Sequence, residues 1–243
     1  MTFSTTPPPL ARALTERNYD QATAVQTAVL ADAAKGRDLL VSAQTGSGKT
    51  VAYGLAIAED LLGPAERFER AAAPLALIVA PTRELALQVQ RELAWLYQYA
   101  DARVVSCVGG MDPRREQREL AAGAHIVVGT PGRLCDHLRR NRLDISQLKA
   151  VVLDEADEML NLCFREDMEF ILKTTPDTRR TLLFSATLPR GIVALAKHYQ
   201  QQSSLLSGNI FNAFTGLASR LGFHHATQAR ATPERRFSAK SSG

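Results

Sequence analysis

Ala43-Gln44-Thr45-Gly46-Ser47-Gly48-Lys49-Thr50 lies between an apolar triplet, Leu39-Leu40-Val41, and a helical pattern that opens at Val51-Ala52-Tyr53 and runs to about Leu62. A phosphate group needs donors and no bulk. Glycines at 46 and 48 let the backbone curl with its N–H groups pointing inward, and a helix starting near Lys49 turns its positive dipole end to the same charge. Lys49 then reaches the β/γ-phosphates of a nucleotide and Thr50 ligates Mg²⁺. Strand, glycine-rich turn and helix in that order are the context this motif requires.

A second segment completes the reading. Ala150-Val151-Val152-Leu153 is a run of four apolar residues, the pattern of a strand in a parallel sheet covered on both faces. Asp154 follows at its carboxyl end, where ligands of α/β sheets bind, and suits the Mg²⁺ water shell opposite Thr50. Glu155 is the carboxylate placed to orient or deprotonate an attacking water. Acidic residues after a strand also suit a solvated helix N-terminus, and both roles are compatible.

Composition narrows the class. The chain has 243 residues and 45% hydrophobic content, ordinary for a globular protein with one sizeable core. No window approaches the roughly 18–20 apolar residues of a membrane span, and the first nine residues lack the pattern of a signal peptide, so a cytoplasmic protein is expected. Cys107, Cys135 and Cys163 are odd in number and far apart, which suggests neither a disulfide framework nor a close-spaced zinc site. The net charge of +4 resides wholly after residue 200, where Arg220, Arg230, Arg235, Arg236 and Lys240 face Glu234 alone. Any argument for a nucleic-acid partner has to come from motifs rather than from overall charge.

Further apolar runs at Leu75–Val79, Val104–Val108, Ile126–Val128 and Thr181–Phe184 predict strands. Helical patterns separate them: Arg83 to about Tyr99, Pro113–Ala122, Arg133–Arg140, Glu158–Lys173 and Pro189–Gln200. Such alternation implies an α/β fold, a three-layer, doubly wound and mainly parallel sheet with the site along one edge. Residues 1–9 form an N-terminal extension and 10–200 the folded domain. Residues 201–243 form a Ser-, Ala- and Arg-rich tail, expected to be disordered apart from a short helix near Phe211 to Leu221.

With these segments placed, residues 3–200 resemble the N-terminal RecA-like domain of DEAD-box RNA helicases, which are P-loop NTPases. Gln26 in Ala22-Thr23-Ala24-Val25-Gln26 corresponds to the family's adenine-reading glutamine, with Tyr19 before it. Pro81-Thr82-Arg83-Glu84-Leu85-Ala86, Gly109-Gly110, Thr130-Pro131-Gly132-Arg133, Asp154-Glu155-Ala156-Asp157 and Ser185-Ala186-Thr187 then follow in the family's order. The resemblance implies ATP and Mg²⁺ as cofactors, with Tyr19, Gln26 and residues 43–50 holding the nucleotide. It implies that Lys49, Asp154 and Glu155 act in hydrolysis. The loops carrying Pro81, Thr82, Arg83, Gly109, Gly110, Thr130, Pro131, Gly132 and Arg133 would grip the backbone of single-stranded RNA, without base specificity, Arg83 and Arg133 supplying charge for the sugar-phosphate chain or for holding the loops around it. Pro-Thr and Thr-Pro pairs also suit helix caps, so each of these motifs alone has a purely structural reading. Asp157 would pair with the hydroxyls of Ser185 and Thr187, coupling ATP turnover to strand separation; a plain turn before Pro189 is the simpler alternative.

Several positions depart from the family pattern. Ala22 and Ala24 replace flanking prolines, Asn18 replaces a glycine before Tyr19, Cys163 replaces a glycine before Phe164, and Phe3 sits about two residues closer than the usual upstream aromatic. After Tyr199 nothing resembles the start of the second RecA-like domain, as a truncated or frameshifted reading frame would produce. The expected function is therefore the ATP-binding half of an RNA helicase, with a second helicase domain supplied in trans. The alternative is a non-catalytic ATP- or RNA-binding fragment that competes with or complements an intact helicase. A P-loop kinase or small-molecule ATPase leaves Gln26 and the two threonine-containing loops unexplained.

Overall fold

The computed structural model describes residue 3, residues 6–201 and the backbone of residues 204–207. Six strands fall where the apolar runs predict them: β1 (Leu39–Ser42), β2 (Ala76–Val79), β3 (Val104–Cys107), β4 (Ile126–Gly129), β5 (Ala150–Leu153) and β6 (Arg180–Ser185). A seventh, β7 (Ser204–Ser207), pairs with β1. All pairings are parallel, in the order β3-β4-β2-β5-β6-β1-β7.

The short, continuously apolar strands follow from burial on both faces: every residue of β2, β4, β5 and β6 is buried. Alternate residues face opposite layers. Leu39, Val41, Ile78, Val152 and Phe184 share one core with α1 (Pro8–Glu16), α2 (Ala24–Leu30), α3 (Lys49–Ala56), α4 (Ala58–Leu62) and α5 (Arg83–Leu96). Leu40, Leu77, Val79, Val151 and Leu183 share the other with α7 (Pro131–Arg139), α8 (Ala156–Asn161), α9 (Arg165–Thr174) and α10 (Arg190–Tyr199). The remaining helix, α6 (Pro113–Ala121), leans Leu120 against this second core beside β3. The three-layer, doubly wound architecture is thus the one the alternation of patterns implies.

The elements differ from the sequence reading in four places. Helices α1 and α2 precede the first expected element, and α1 begins at Pro8, inside the N-terminal extension. The helix expected to end near Leu62 is interrupted at Ile57, which separates α3 from α4. The helix expected over Glu158–Lys173 is two helices, because the chain turns at Cys163 with φ +63°. There the Cys163 N–H donates to Leu160 O at 3.1 Å and the Phe164 N–H to Met159 O at 2.9 Å, a left-handed stop that favours glycine.

Strand β7 lies beyond Gln200, where the sequence reading ends the folded domain. The Gln200 side-chain amide donates to Leu39 O at 2.7 Å and Thr181 O at 3.0 Å, and the buried Asp38 carboxylate accepts the Thr181 N–H at 2.6 Å and the Gln201 N–H. These bonds lead the chain across the ends of β1 and β6. The helix expected near Phe211–Leu221 lies outside the described residues. Among the described residues no helix is long and apolar enough to cross a membrane.

Cys163 and Asn18 (φ +56°) both occupy left-handed backbone at positions where glycine is the family's residue. Asparagine tolerates that region and cysteine does so poorly. Cys163→Gly should therefore raise stability by up to about 1 kcal/mol, the relief of strain being partly offset by the entropy of an added glycine. Urea unfolding of the two proteins checks this, and Asn18→Gly should change the midpoint less.

Candidate functional site

Strand order groups the loops that the chain scatters. Strands β5, β6 and β1 are neighbours, so Asp154–Asp157, Ser185–Thr187 and the 43–50 turn meet at one half of the carboxyl edge. Strands β2, β4 and β3 form the other half and carry Pro81–Arg83, Thr130–Arg133 and Gly109–Gly110.

In the first half, Gly46 and Gly48 take φ +80° and +82°, and a Cβ on Gly48 would lie 2.7 Å from Gln26 Nε2. Around Gly46 a Cβ would meet nothing within 4 Å, so the curl opens to solvent as an anion cradle must. The exposed Gln44 carbonyl closes the turn, accepting the Ser47 hydroxyl at 2.7 Å, and Ala43 donates its N–H to Ser185 O at 3.0 Å. Lys49 is 6% exposed, and its ammonium stands 3.4 Å from Glu155 Oε1 and 3.8 Å from Asp154 Oδ1. Thr45 Oγ1 donates to the same Glu155 oxygen at 2.9 Å. Glu155 itself is a non-glycine residue at φ +49°, ψ +51°, a conformation that persists only where the surroundings impose it.

Asp154 is buried, which pushes its carboxyl up to about pKa 6; Lys49 pulls it down and Glu155 pushes it further up. Its Oδ1 accepts the Glu155 N–H at 2.9 Å and its Oδ2 the Tyr53 hydroxyl at 3.2 Å. Tyr53 is fully buried and also hydrogen-bonds Thr50, whose hydroxyl reaches Glu92 of α5. The two residues expected to hold Mg²⁺ are therefore joined through Tyr53. A buried carboxylate short of cationic compensation beside a threonine hydroxyl fits a hard divalent cation.

Gln26 is wholly buried. Its Oε1 accepts the Thr23 N–H at 2.9 Å, Thr23 Oγ1 accepts the Gln26 N–H at 3.4 Å, and its Nε2 donates to Gly48 O at 3.3 Å. Thr23 Oγ1 also donates to Ser47 O at 3.0 Å. This reciprocal capping box starts α2 and fastens it to the phosphate turn, a role the Thr23-x-x-Gln26 spacing signals directly. Tyr19 packs against Trp95, with ring centroids 5.5 Å apart, and Arg17 lies over the opposite ring at 4.0 Å.

Asp157, after β5, joins its loop to the one after β6. Its Oδ2 accepts the Thr187 hydroxyl at 2.7 Å and the Thr187 N–H at 2.9 Å, its Oδ1 accepts the Ala186 N–H at 3.3 Å, and its N–H donates to Ser185 Oγ at 3.3 Å. Burial acts upward on this carboxyl, but the hydroxyls and backbone donors hold it below the usual aspartate range.

In the second half, Thr82 caps α5 by accepting the Leu85 N–H at 3.2 Å, whereas Thr130 opens α7 without a side-chain cap, its hydroxyl left for another partner. Arg83 is exposed and donates to Gly109 O at 3.5 Å and Met111 Sδ at 3.4 Å. Gly110 lies at φ +75°, a left-handed conformation that favours glycine, with the mobile end of Arg83 close to where a Cβ would stand. Pro131 is buried at the first turn of α7 and Gly132 is exposed beside it. Of the two roles expected for Arg133, contact with a sugar-phosphate chain or holding the loops around it, the structure shows the geometry of the second: it is 15% exposed and turned inward to Glu116.

Comparison with known proteins gives this fold a family. The family model of the DEAD/DEAH box helicases matches residues 23–195. The chain belongs to that family. It is 45% identical over 180 residues to an ATP-dependent RNA helicase CshA of Limosilactobacillus reuteri, covering 74% of this chain and 35% of that protein. A DEAD-box ATP-dependent RNA helicase CshA of Bacillus cereus is 40% identical over 193 residues, with 36% of its length covered. Among solved structures, a DEAD box protein from the hyperthermophile Methanococcus jannaschii superposes with TM-score 0.78 at 34% identity, over 86% of this chain and 56% of that one. The chain thus spans about a third of the curated relatives it matches, and corresponds to the N-terminal RecA-like, ATP-binding domain of a DEAD-box helicase.

Within this DEAD-box domain, sequence reasoning missed Tyr53, Glu92 and Glu116, which act through buried side-chain contacts between elements distant in sequence. Tyr53→Phe isolates one of them. It keeps the ring against Phe184, at 5.3 Å between centroids, and removes the hydroxyl from Asp154 and Thr50. The expected outcome is a folded protein with ADP–Mg²⁺ affinity lowered by about tenfold, as for a hydrogen bond to a charged group. Titration calorimetry with and without Mg²⁺ checks it, the loss being confined to the Mg²⁺-containing experiment.

Proposed function

We propose that this domain binds ATP with Mg²⁺ and grips the backbone of single-stranded RNA, as the nucleotide-binding half of an RNA helicase. The observation that carries the reading is the convergence of Lys49, Thr45, Asp154 and Glu155 over the open glycine curl. Lys49 sits between two carboxylates, 3.4 and 3.8 Å away, and a phosphate at the curl competes with them for its ammonium. Drawing Lys49 to the β/γ-phosphates frees Glu155 Oε1, which then accepts a proton from the attacking water. Thr50 and Asp154 would hold Mg²⁺, which neutralises charge on the transferring phosphoryl oxygens.

Gln26 reads adenine in this proposal by exchanging its bonds to Thr23 and Gly48 for the donor and acceptor of the base edge, so base recognition shifts the phosphate turn as well. The loops of β2, β3 and β4 contribute backbone N–H groups, Thr82, Thr130 and Arg83 to phosphate and sugar. Hydrolysis at helicase rates belongs to a two-domain assembly, because an arginine finger contributes about 10³–10⁵ in rate and a strand clamp needs two closing surfaces. The second RecA-like domain is the partner this reading calls for.

Two substitutions separate binding from chemistry. Lys49→Ala should weaken ATP and ADP by at least about 100-fold in calorimetry on the folded variant. An unchanged affinity in the folded variant would remove the phosphate assignment. Glu155→Gln should leave nucleotide affinity largely intact and lower RNA-stimulated phosphate release, measured with a second-domain protein added, by about 10²–10⁴.

A further inference from the structure

The loops after β3 and β4 share a buried acid that no sequence motif includes. Glu116 of α6 has a 4% exposed side chain. Its Oε1 accepts the Val108 N–H at 2.9 Å, while its Oε2 meets His137 Nε2 at 2.8 Å and Arg133 Nε at 3.5 Å. Arg133 also donates from Nη2 to Met111 O at 3.2 Å. His137 Nδ1 is buried without a partner among the described residues, so the tautomer with its proton on Nε2, donating to Glu116, is the one the geometry satisfies. Three segments, residues 108–111, the start of α7 and α6, are thus tied to one carboxylate, and Arg83 holds the same Gly109–Met111 loop from the solvent side.

Cys107 lies with Glu116 and His137 at metal-ligand spacing, yet the trio does not suit a cation. Arg133 already supplies the positive charge to Glu116, and both carboxylate oxygens accept hydrogen bonds. Burial also pushes the Cys107 thiol well up, away from the thiolate a metal needs.

We infer that Glu116 is a positioning residue for RNA binding, and that Arg133 serves as its internal strut rather than as a phosphate contact. This rests on the RNA reading above. The energetic ordering supports it: turning the guanidinium out to a phosphate leaves a buried carboxylate without its cation, a larger penalty than an exposed phosphate contact returns. With Arg133 held inward, the Gly109–Met111 loop keeps one conformation, and its backbone N–H groups and the Thr130 hydroxyl face the nucleic acid together.

The test is a double-mutant cycle on the full chain with Glu116→Gln, Arg133→Met and their combination. Hydrogen exchange over residues 107–112 reads the loop, fluorescein-labelled single-stranded oligouridine reads RNA affinity, and a fluorescent ADP reads the nucleotide site. Glu116→Gln should speed exchange in the loop and weaken oligouridine, each by about tenfold, with ADP affinity within about twofold of the parent. The uncharged pair should recover loop protection and most of the oligouridine affinity, since no buried charge is left alone. Unchanged exchange in Glu116→Gln overturns the inference. So does an Arg133→Met variant that weakens oligouridine with its loop protected and whose loss adds in the double variant, because Arg133 is then a direct contact. A parent that ignores oligouridine while Glu116→Gln still loosens the loop removes the RNA reading and leaves the strut standing.

Discussion

Parallel pairing is the constraint on which everything else depends. Seven strands running the same way deliver every carboxyl end to one edge, and the crossover helices that parallel pairing requires bury both faces of the sheet. Loops at that edge lie next to helix N-termini and unpaired backbone donors, so anions are favoured there. The particular order then decides which loops meet. With β6 between β5 and β1, Asp157 reaches Thr187 at 2.7 Å and Glu155 reaches Thr45 at 2.9 Å. With β4 between β3 and β2, residues 108–111 and Arg133 come within reach of one buried acid.

The two edges of the sheet treat charge differently. At the amino edge Arg180 is closed off: its guanidinium donates to Arg37 O and Ala56 O at 2.6 Å, to Ala34 O at 2.8 Å and to Asp60 Oδ2 at 2.9 Å. Four of the five N–H groups of that planar fork are used, which fixes α3, α4 and the turn before β1 against β6. At the phosphate turn on the carboxyl edge the charges are paired only loosely. Lys49 stands at 3.4 and 3.8 Å from its carboxylates, and Asp154 is pushed up by burial that its neighbours do not fully offset. Rigid pairing in the scaffold and exchangeable pairing at the phosphate turn is the arrangement expected of a protein that holds a ligand site ready.

Departures from the family pattern also make physical sense once the backbone is known. Asn18 and Cys163 stand in left-handed conformations that a glycine would relieve. Ala24 opens α2 where a proline would be pre-organised, and the capping box of Thr23 and Gln26 starts the helix without it. Phe3 packs at the periphery of the first core, and its carbonyl accepts the Thr6 N–H at 3.0 Å ahead of α1.

The sequence alone determined the first six strands, their parallel class, the phosphate turn and the acidic strand end, because each is a local signal: apolar runs of fixed length, glycines at required positive φ, and charged residues at a strand terminus. The family motifs added the grouping of loops by role. What the tertiary structure decided are contacts between segments far apart in the chain. The seventh strand depends on Gln200 and Asp38 reaching across β1 and β6, and a Ser- and Gln-rich stretch carries no strand signal of its own. Tyr53, one turn of helix from Thr50, reaches Asp154 101 residues away, and Gln26 is drawn to the carbonyl of Gly48. Arg133, one of a motif's charged residues, turns inward because Glu116 is buried beneath it, and a buried carboxylate holds its cation more strongly than solvent-exposed charge can compete for it. Only packing decides which charges are buried, and burial sets the strength of every pairing made there.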